Sequence, residues 1–178
     1  TAPNSFIASA WTIANTGATV RFCDVDADMN MSPAALAKAI TPKTKAIMPV
    51  HWSGLPCKMD LIMDIANTHG LFVVEDSCHG IQAHYKGKNA GTFGLTGCFS
   101  MHPLKNLNVW GDGGYIVTDS KEMHDKLVLL RNHGLLNRNE CAVFAYNSRL
   151  DSLQAVVANH LLKKIDFITD SRIAHAAR

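Results

Sequence analysis

Three polar segments of this 178-residue chain stand where an apolar run has just ended: His51 with Trp52, then Asp76, Ser77, Cys78 and His79, then the stretch that runs from Ser100 to Lys105. In open α/β sheets ligands bind beyond the carboxyl ends of the strands, so segments placed like this are the first to inspect for chemistry. Lys105 sits in F-S-M-H-P-L-K-N-L with no acidic residue beside it. A desolvated lysine gives up its proton readily and attacks a carbonyl carbon to form a Schiff base. An aldehyde cofactor such as pyridoxal 5'-phosphate (PLP) needs that lysine, an aspartate that keeps its pyridine nitrogen protonated, and donors for its phosphate. Asp76 is a carboxylate of the required kind, and Ser100 offers a hydroxyl a few residues before the lysine. Taken singly, each has a plainer reading: an Asp after a strand can cap the segment that follows, and a lysine between leucines can lay its stem on the surface with its ammonium in water.

Such residues need strands and helices to present them. From residue 20 onward strand-like and helix-like patterns alternate. The run 20–25 is short and apolar and ends in the Asp24, Asp26, Asp28 cluster; Ser32-Pro33 then supplies an N-cap followed by proline at the first helical position, with Leu36 and Ile40 on one face. Residues 45–51 (KAIMPVH) read as a strand and Ser53-Gly54-Leu55-Pro56 as a turn. Residues 60–69 place Leu61, Ile62, Ile65 and Ala66 at helical spacing and close at Gly70. The run 71–75 (LFVVE) is continuous and apolar, as expected of a parallel strand buried on both faces. Two more strands are predicted at 97–102 and 114–119, a helix over 120–133 with Met123, Leu127 and Leu130 in line, and a long helix from near Asp151 towards the end. Residues 135–145 read as a linker or surface loop. Strands alternating with helices predict an α/β sheet with parallel connections.

Composition narrows the class. With 47% hydrophobic and 18% charged residues the chain suits one globular domain and excludes disorder or a coiled coil. Seventeen Lys and Arg against fifteen Asp and Glu leave a net charge of +2, which offers no basic footprint for nucleic acid. The five cysteines are odd in number, widely spaced and without a C-x-x-C, which predicts reduced thiols in a cytoplasmic protein. No apolar run approaches a membrane span, and no signal peptide is recognisable. The chain opens at Thr1 rather than methionine and stops at Arg178 inside a helical pattern, so it is expected to be a piece of a longer polypeptide.

The segments V-V-E-D-S-C-H-G, Y-K-G-K-N-A-G-T-F-G, G-C-F-S-M-H-P-L-K-N-L and G-D-G-G-Y-I-V-T-D follow one another, preceded by D-V-D and A-I-T-P-K-T-K-A-I-M-P-V-H and followed by Y-N-S-R-L-D-S-L-Q-A. In this order and spacing they resemble the sugar aminotransferase family called DegT/DnrJ/EryC1/StrS, PLP enzymes of fold type I in the aspartate aminotransferase superfamily. The resemblance covers almost the whole chain. It implies a three-layer α/β/α fold with a mainly parallel sheet, residues 1–178 forming most of the large PLP-binding domain. A phosphate turn is then expected before Thr1 and a small C-terminal domain after Arg178. It also implies roles. Lys105 corresponds to the Schiff-base lysine, Asp76 to the partner of the pyridine nitrogen, His79 to a residue beside the ring and its phenolic oxygen, and Ser100 to a phosphate ligand. Phe6 falls where the family stacks an aromatic ring on the cofactor, with a simple core phenylalanine as the alternative. Asn147 matches an asparagine that reaches the phosphate of the neighbouring subunit, which implies a homodimer with a shared site. Arg149 is expected to be structural. Asn108 and Trp110 lie in a segment that varies among relatives, where substrate contact competes with plain packing.

The activity so implied is transfer of an amino group from an amino acid, glutamate by expectation, to a keto or aldehyde carbon of a sugar. Relatives that dehydrate sugars carry histidine in place of the lysine, so Lys105 favours amino transfer. The sugar is either nucleotide-linked, for polysaccharide or antibiotic synthesis, or an octulosonate aminated at C8 for lipopolysaccharide, a branch that C-F-S-M-H-P-L-K-N-L-N-V-W-G-D-G-G also resembles. A competing reading is a regulatory or binding module that keeps the PLP fold without catalysis; Asp76 and Lys105 together argue against it. Nine histidines raise metal hydrolysis, but no H-E-x-x-H occurs and His51, His79, His84 and His102 lie in separate segments, so no metal is expected.

Overall fold

The computed structural model describes residues 1–177, and Arg178 lies outside the described residues. In chain order the elements are helices Ile7–Asn15 (α1) and Pro33–Ala39 (α2), strand Ala46–Ile47 (β1), helix Met59–His69 (α3), strands Phe72–Asp76 (β2), His84–Tyr85 (β3), Lys88–Asn89 (β4), Thr96–Ser100 (β5) and Gly114–Val117 (β6), helix Lys121–Arg131 (α4), strands Leu135–Asn137 (β7) and Glu140–Cys141 (β8), and helices Ser152–Leu162 (α5) and Ile165–Ala176 (α6). The central sheet runs β1-β2-β5-β6; β1, β2 and β5 are parallel and β6 returns antiparallel to β5. This is the mixed α/β architecture with a mainly parallel sheet that the alternating pattern predicts.

Local chemistry explains the helices that build the core. Ser32 Oγ accepts the Ala35 N–H ahead of Pro33 and starts α2, while Gly70, at φ +62°, closes α3 in the left-handed conformation that glycine adopts without strain. Leu36 of α2 and Met59, Ile62 and Ala66 of α3 then bury against Ile47 and Val73 of the sheet. A second, smaller cluster joins Met101, Leu107 and Val109, in the loop after β5, to Ile165 of α6. The first cluster anchors β2 through Val73, and the second anchors the loop that carries Lys105.

Several expectations need correction. Residues 20–25 are not a sheet strand: Val25 makes only an isolated bridge to Met31, because Asp24 Oδ1 captures the Val25 N–H and Asp28 Oδ1 the Asn30 N–H, local bonds that compete with a ladder. The strand predicted at 45–51 shrinks to two residues before Pro49, which has no N–H for the ladder. β2 is not buried on both faces along its length: Val73, packed against α2 and α3, and Glu75 are buried, whereas on the other face Phe72 is exposed and Val74 and Asp76 are half-buried. Ser120 caps α4 as predicted, yet no residue of α4 is buried and the Met123, Leu127, Leu130 stripe is not core. The long C-terminal helix is two helices, parted at Lys163 and Lys164; the Gln82 amide bonds Asp166 Oδ1 and Thr169 Oγ1, holding α6 to the loop beyond β2. Residues 135–145 contain the β7-β8 hairpin. No helix is long and apolar enough to cross a membrane among the described residues.

Candidate active site

Asp76 ends β2 with its backbone locked to the neighbouring chain: its N–H donates to the Pro49 carbonyl at 2.9 Å and its carbonyl accepts the His51 N–H at 3.1 Å. Its side chain is held at both oxygens. Oδ2 accepts the Ser9 hydroxyl at 2.6 Å and Oδ1 accepts the Cys78 N–H at 3.2 Å. The chain turns immediately afterwards, with the Ser77 N–H bonded to the Cys98 carbonyl of β5 and the Gly80 N–H to the Ser77 carbonyl. His79 Nδ1 accepts the Ser53 N–H at 3.3 Å and its ring meets Trp52 edge-on, with centroids 6.0 Å apart. Because Nδ1 accepts, Nε2 carries the proton of the neutral ring. Gly54 makes this contact possible: its φ is +86°, and a Cβ there would come 2.9 Å from the His79 carbonyl oxygen.

Lys105 is presented by a tightly bonded turn at the end of β5. Ser100 Oγ accepts the His102 N–H at 3.2 Å, the His102 carbonyl accepts the Lys105 N–H at 2.8 Å, and the Lys105 carbonyl accepts the Asn108 amide at 3.1 Å. Buried Met101, Leu107 and Val109 anchor the turn from below. Lys105 shares the wall of a cavity of about 440 Å³ with Cys78, His79 and Gly54, and α6 closes another side with Thr169 and Arg172.

The charges of these groups are felt within one cluster. Burial and then the Lys105 charge hold the His79 imidazole below its ordinary value, with Asp76 opposing. Burial and then the Asp76 charge push the Cys78 thiol up to about 12, with Lys105 pulling the other way. Since only the thiolate is an effective nucleophile, Cys78 should stay unmodified when the native protein is treated with iodoacetamide at pH 8, and should react once the protein is unfolded. Peptide mass spectrometry of the two samples checks this, and native labelling of Cys78 would contradict the buried environment.

Behind the cavity lies a second carboxylate that the sequence pattern left inside an apolar run. Glu75 is buried and collects four donors: His51 Nε2 at 2.9 Å and the Gly91 N–H at 2.7 Å on Oε2, and the N–H groups of Phe93 at 2.6 Å and Gly94 at 2.7 Å on Oε1. His51 Nδ1 accepts the Cys57 N–H at 3.1 Å, so Nε2 is the nitrogen that donates. Burial pushes the Glu75 carboxyl up, but His51 and the N–H groups of Gly94 and Gly91 outweigh it and hold the group below the ordinary carboxylate range.

Of the residues singled out from sequence, Asp76, His79 and Lys105 come together, and Ser100 lies at the base of the same turn. Phe6 stands exposed at the start of α1, three residues before Ser9. Asn147 is not brought to this cavity: it bridges the backbone of Asn132, and its Oδ1 accepts the Arg149 N–H. Arg149 donates to the Asn132 side chain. Trp110 is 76% exposed, and its backbone is clamped by the Gln154 amide, whose Oε1 accepts the Trp110 N–H at 2.7 Å. Ser9, Ser53 and Gln154 were missed, since nothing local marks one hydroxyl or amide among many; Glu75 was visible as a charge at a buried strand position. Among the described residues no three His, Cys, Asp or Glu side chains converge as metal ligands do.

Residues 1–178 match the family model described as the DegT/DnrJ/EryC1/StrS aminotransferase family. The chain is 49% identical over 154 residues to the UDP-N-acetyl-3-dehydro-alpha-D-glucosamine 3-aminotransferase of Acidithiobacillus ferrooxidans, covering 86% of this chain and 42% of that protein. It is 41% identical over 174 residues to a protein of Geobacillus stearothermophilus named pleiotropic regulatory protein, covering 97% of this chain and 47% of the relative. The chain thus spans a little under half the length of these curated relatives. Among solved structures it superposes on Streptomyces venezuelae DesV in complex with a ketimine intermediate at a TM-score of 0.88 and 38% identity, over 93% of this chain and 45% of DesV.

Proposed function

The chain belongs to the DegT/DnrJ/EryC1/StrS aminotransferase family, and from that premise we propose that the protein uses PLP to move an amino group from glutamate to a keto carbon of a nucleotide-linked sugar. The observation that supports this most is that His79 and Lys105, from the segments beyond β2 and β5, line one cavity, with the Asp76 and Lys105 charges both acting on His79 and Cys78. The donor set fits the cofactor. Asp76, oriented by two donors, suits the pyridine nitrogen; His79 and Phe6 suit the ring; Ser100 suits the phosphate; and Lys105, which no ion pair reaches among the described residues, suits the aldehyde carbon. PLP, when bound, supplies an electrophilic carbon for amines and a ring that takes up electron density from a substrate α-carbon.

The chain's own residues do the rest. Asp76 holds the ring nitrogen protonated by offering it a fixed negative charge. His79, pinned through Nδ1 to the Ser53 N–H, keeps its protonated Nε2 free to donate. Lys105 Nζ would hold the cofactor's aldehyde carbon and, as a free amine, would serve as the base that removes a proton from the donor's α-carbon and as the acid that returns it. We further read the protein as a cytoplasmic homodimer in which Asn147, outside its own chain's cavity and just after the exposed Phe144 and Tyr146, serves the phosphate of the second copy. In this reading residues 1–178 supply most of the cofactor-binding domain. Of the two sugar classes left open by the sequence, the nucleotide-linked one is favoured by the relative named for a UDP-linked 3-dehydro sugar.

The relative named as a regulatory protein keeps a second reading in view, in which the fold binds PLP and performs no transfer. Spectroscopy separates them. The purified full-length enzyme should carry a visible absorption band that glutamate bleaches and a UDP-linked 3-keto sugar restores. A band that no amino donor bleaches would support the regulatory reading, and restoration by an octulosonate alone would move the substrate to the other class.

A further inference from the structure

Asp76 is held by more than its own strand. Ser9 lies 67 residues earlier on α1 and is 5% exposed, yet its hydroxyl reaches Asp76 Oδ2 at 2.6 Å, inside the short range of charge-assisted O–H···O⁻ bonds. A serine hydroxyl has one proton, and here the carboxylate takes it, so the 2.8 Å contact between Ser5 Oγ and Ser9 Oγ must run from Ser5 to Ser9. The order Ser5 to Ser9 to Asp76 is therefore fixed by proton count. The Ser9 backbone N–H also donates to the Phe6 carbonyl at 3.1 Å. One buried residue thus bonds to the segment that bears Phe6 and to the carboxylate at the end of β2.

We infer that Ser9 is a positioning residue for the cofactor, setting the orientation of Asp76 and the placement of the α1 N-terminus in a single contact. The inference rests on the assignment of Asp76 to the pyridine nitrogen made above. Its physical content is that the Cys78 N–H alone leaves Oδ2 free to rotate away, whereas Ser9 fixes the second oxygen and so the plane of the carboxylate. Ser5 supports Ser9 without touching Asp76, so its contribution is smaller.

The test uses the full-length apoenzyme and reads PLP affinity by fluorescence titration, with the pH-dependent absorption of the bound cofactor as a second measurement. Ser9→Ala should weaken PLP binding about ten- to a hundredfold, as expected for loss of a hydrogen bond to a charged group, and should shift the pH at which the bound cofactor's bands interconvert. Ser9→Thr, which keeps the hydroxyl, should stay within about threefold of wild type, and Ser5→Ala should lose about two- to fivefold. Coupling decides between positioning and general packing. In an Asp76→Asn background, Ser9→Ala should add less than about twofold, because the contact it removes has already lost its charge. Binding by Ser9→Ala within twofold of wild type, equal losses in the Ala and Thr variants, or an undiminished loss in the Asp76→Asn background would each overturn the inference. If Asp76→Asn itself leaves PLP affinity unchanged, it is the assignment of Asp76 that fails.

Discussion

Lys105→Ala, made in the full-length enzyme, should lower amino transfer by about a thousandfold or more, within the range associated with removing a positioned acid–base group. The visible band should change to that of a free aldehyde, and cofactor should become removable by gel filtration without denaturant. The loss will be chemical rather than structural. The turn that carries Lys105 is held by the Lys105 N–H on His102, by the Asn108 amide on the Lys105 carbonyl, and by buried Met101, Leu107 and Val109. None of these bonds uses the side chain that alanine removes, so the urea midpoint of the apoprotein should match wild type. Stopped-flow measurement of the half-reaction with glutamate reads the effect. Turnover within tenfold of wild type would remove Lys105 from the proposed role.

The largest effect on stability should come from Glu75. Replacing it with alanine leaves His51 Nε2–H and the N–H groups of Gly91, Phe93 and Gly94 without their acceptor in a buried site, and breaking such an arrangement costs on the order of 3–5 kcal/mol. Glu75→Gln should also destabilise, although it preserves volume, because one acceptor oxygen becomes a donor that faces other donors. The pH dependence has a definite sign. The folded-state carboxyl is held below its ordinary value of 4.5, so the stabilisation is complete above that value and is lost as the pH falls from there towards the folded-state value. The stability gap between wild type and Glu75→Gln should therefore narrow below about pH 4.5. Urea unfolding at pH 7, 5 and 4 measures it, and a gap that does not change with pH would show that the charge is not what holds the network.

Much of this was legible from residue order. The N-cap Ser32 with Pro33, the stop at Gly70, the cap Ser120 and the strands around Val73, Cys98 and Ile116 follow from local propensity and period, and they appear in the structure with shifts of a few residues. Asp76, His79 and Lys105 were legible as candidates because each ends a strand or lies in the segment beyond one. What stayed hidden depends on contacts between distant segments. Ser9 meets Asp76 across 67 residues of sequence; Gln154 clamps Trp110 from 44 residues away; α6, which begins after the break at Lys163 and Lys164, is tied to Gln82 by Asp166 and Thr169. The α4 stripe misled for the converse reason: a periodic apolar face states what a helix can bury, and says nothing of whether a neighbour is there to bury it.

Glu75 and Asp76 are consecutive and face opposite ways, one towards the donors of Gly91, Phe93 and Gly94 and one towards Ser9 and the Cys78 N–H. Alternation in a strand makes this pair an error check on folding. A slip of β2 by one residue that brought Asp76, one carbon shorter, to the donors around Gly91 and Gly94 would carry Glu75 to the place of Val74 and leave the Ser9 hydroxyl without its carboxylate. The mispaired chain would satisfy neither set at full length. Opposite Glu75 in β5 stands Gly97, where a Cβ would collide with the Gly91 backbone, so the segment that brings the Gly91 N–H to Glu75 can lie against β5 because that position carries no side chain. Glu75, next in sequence to the candidate site, thus ties the register of β2 to a set of buried donors that only the correctly aligned strand satisfies.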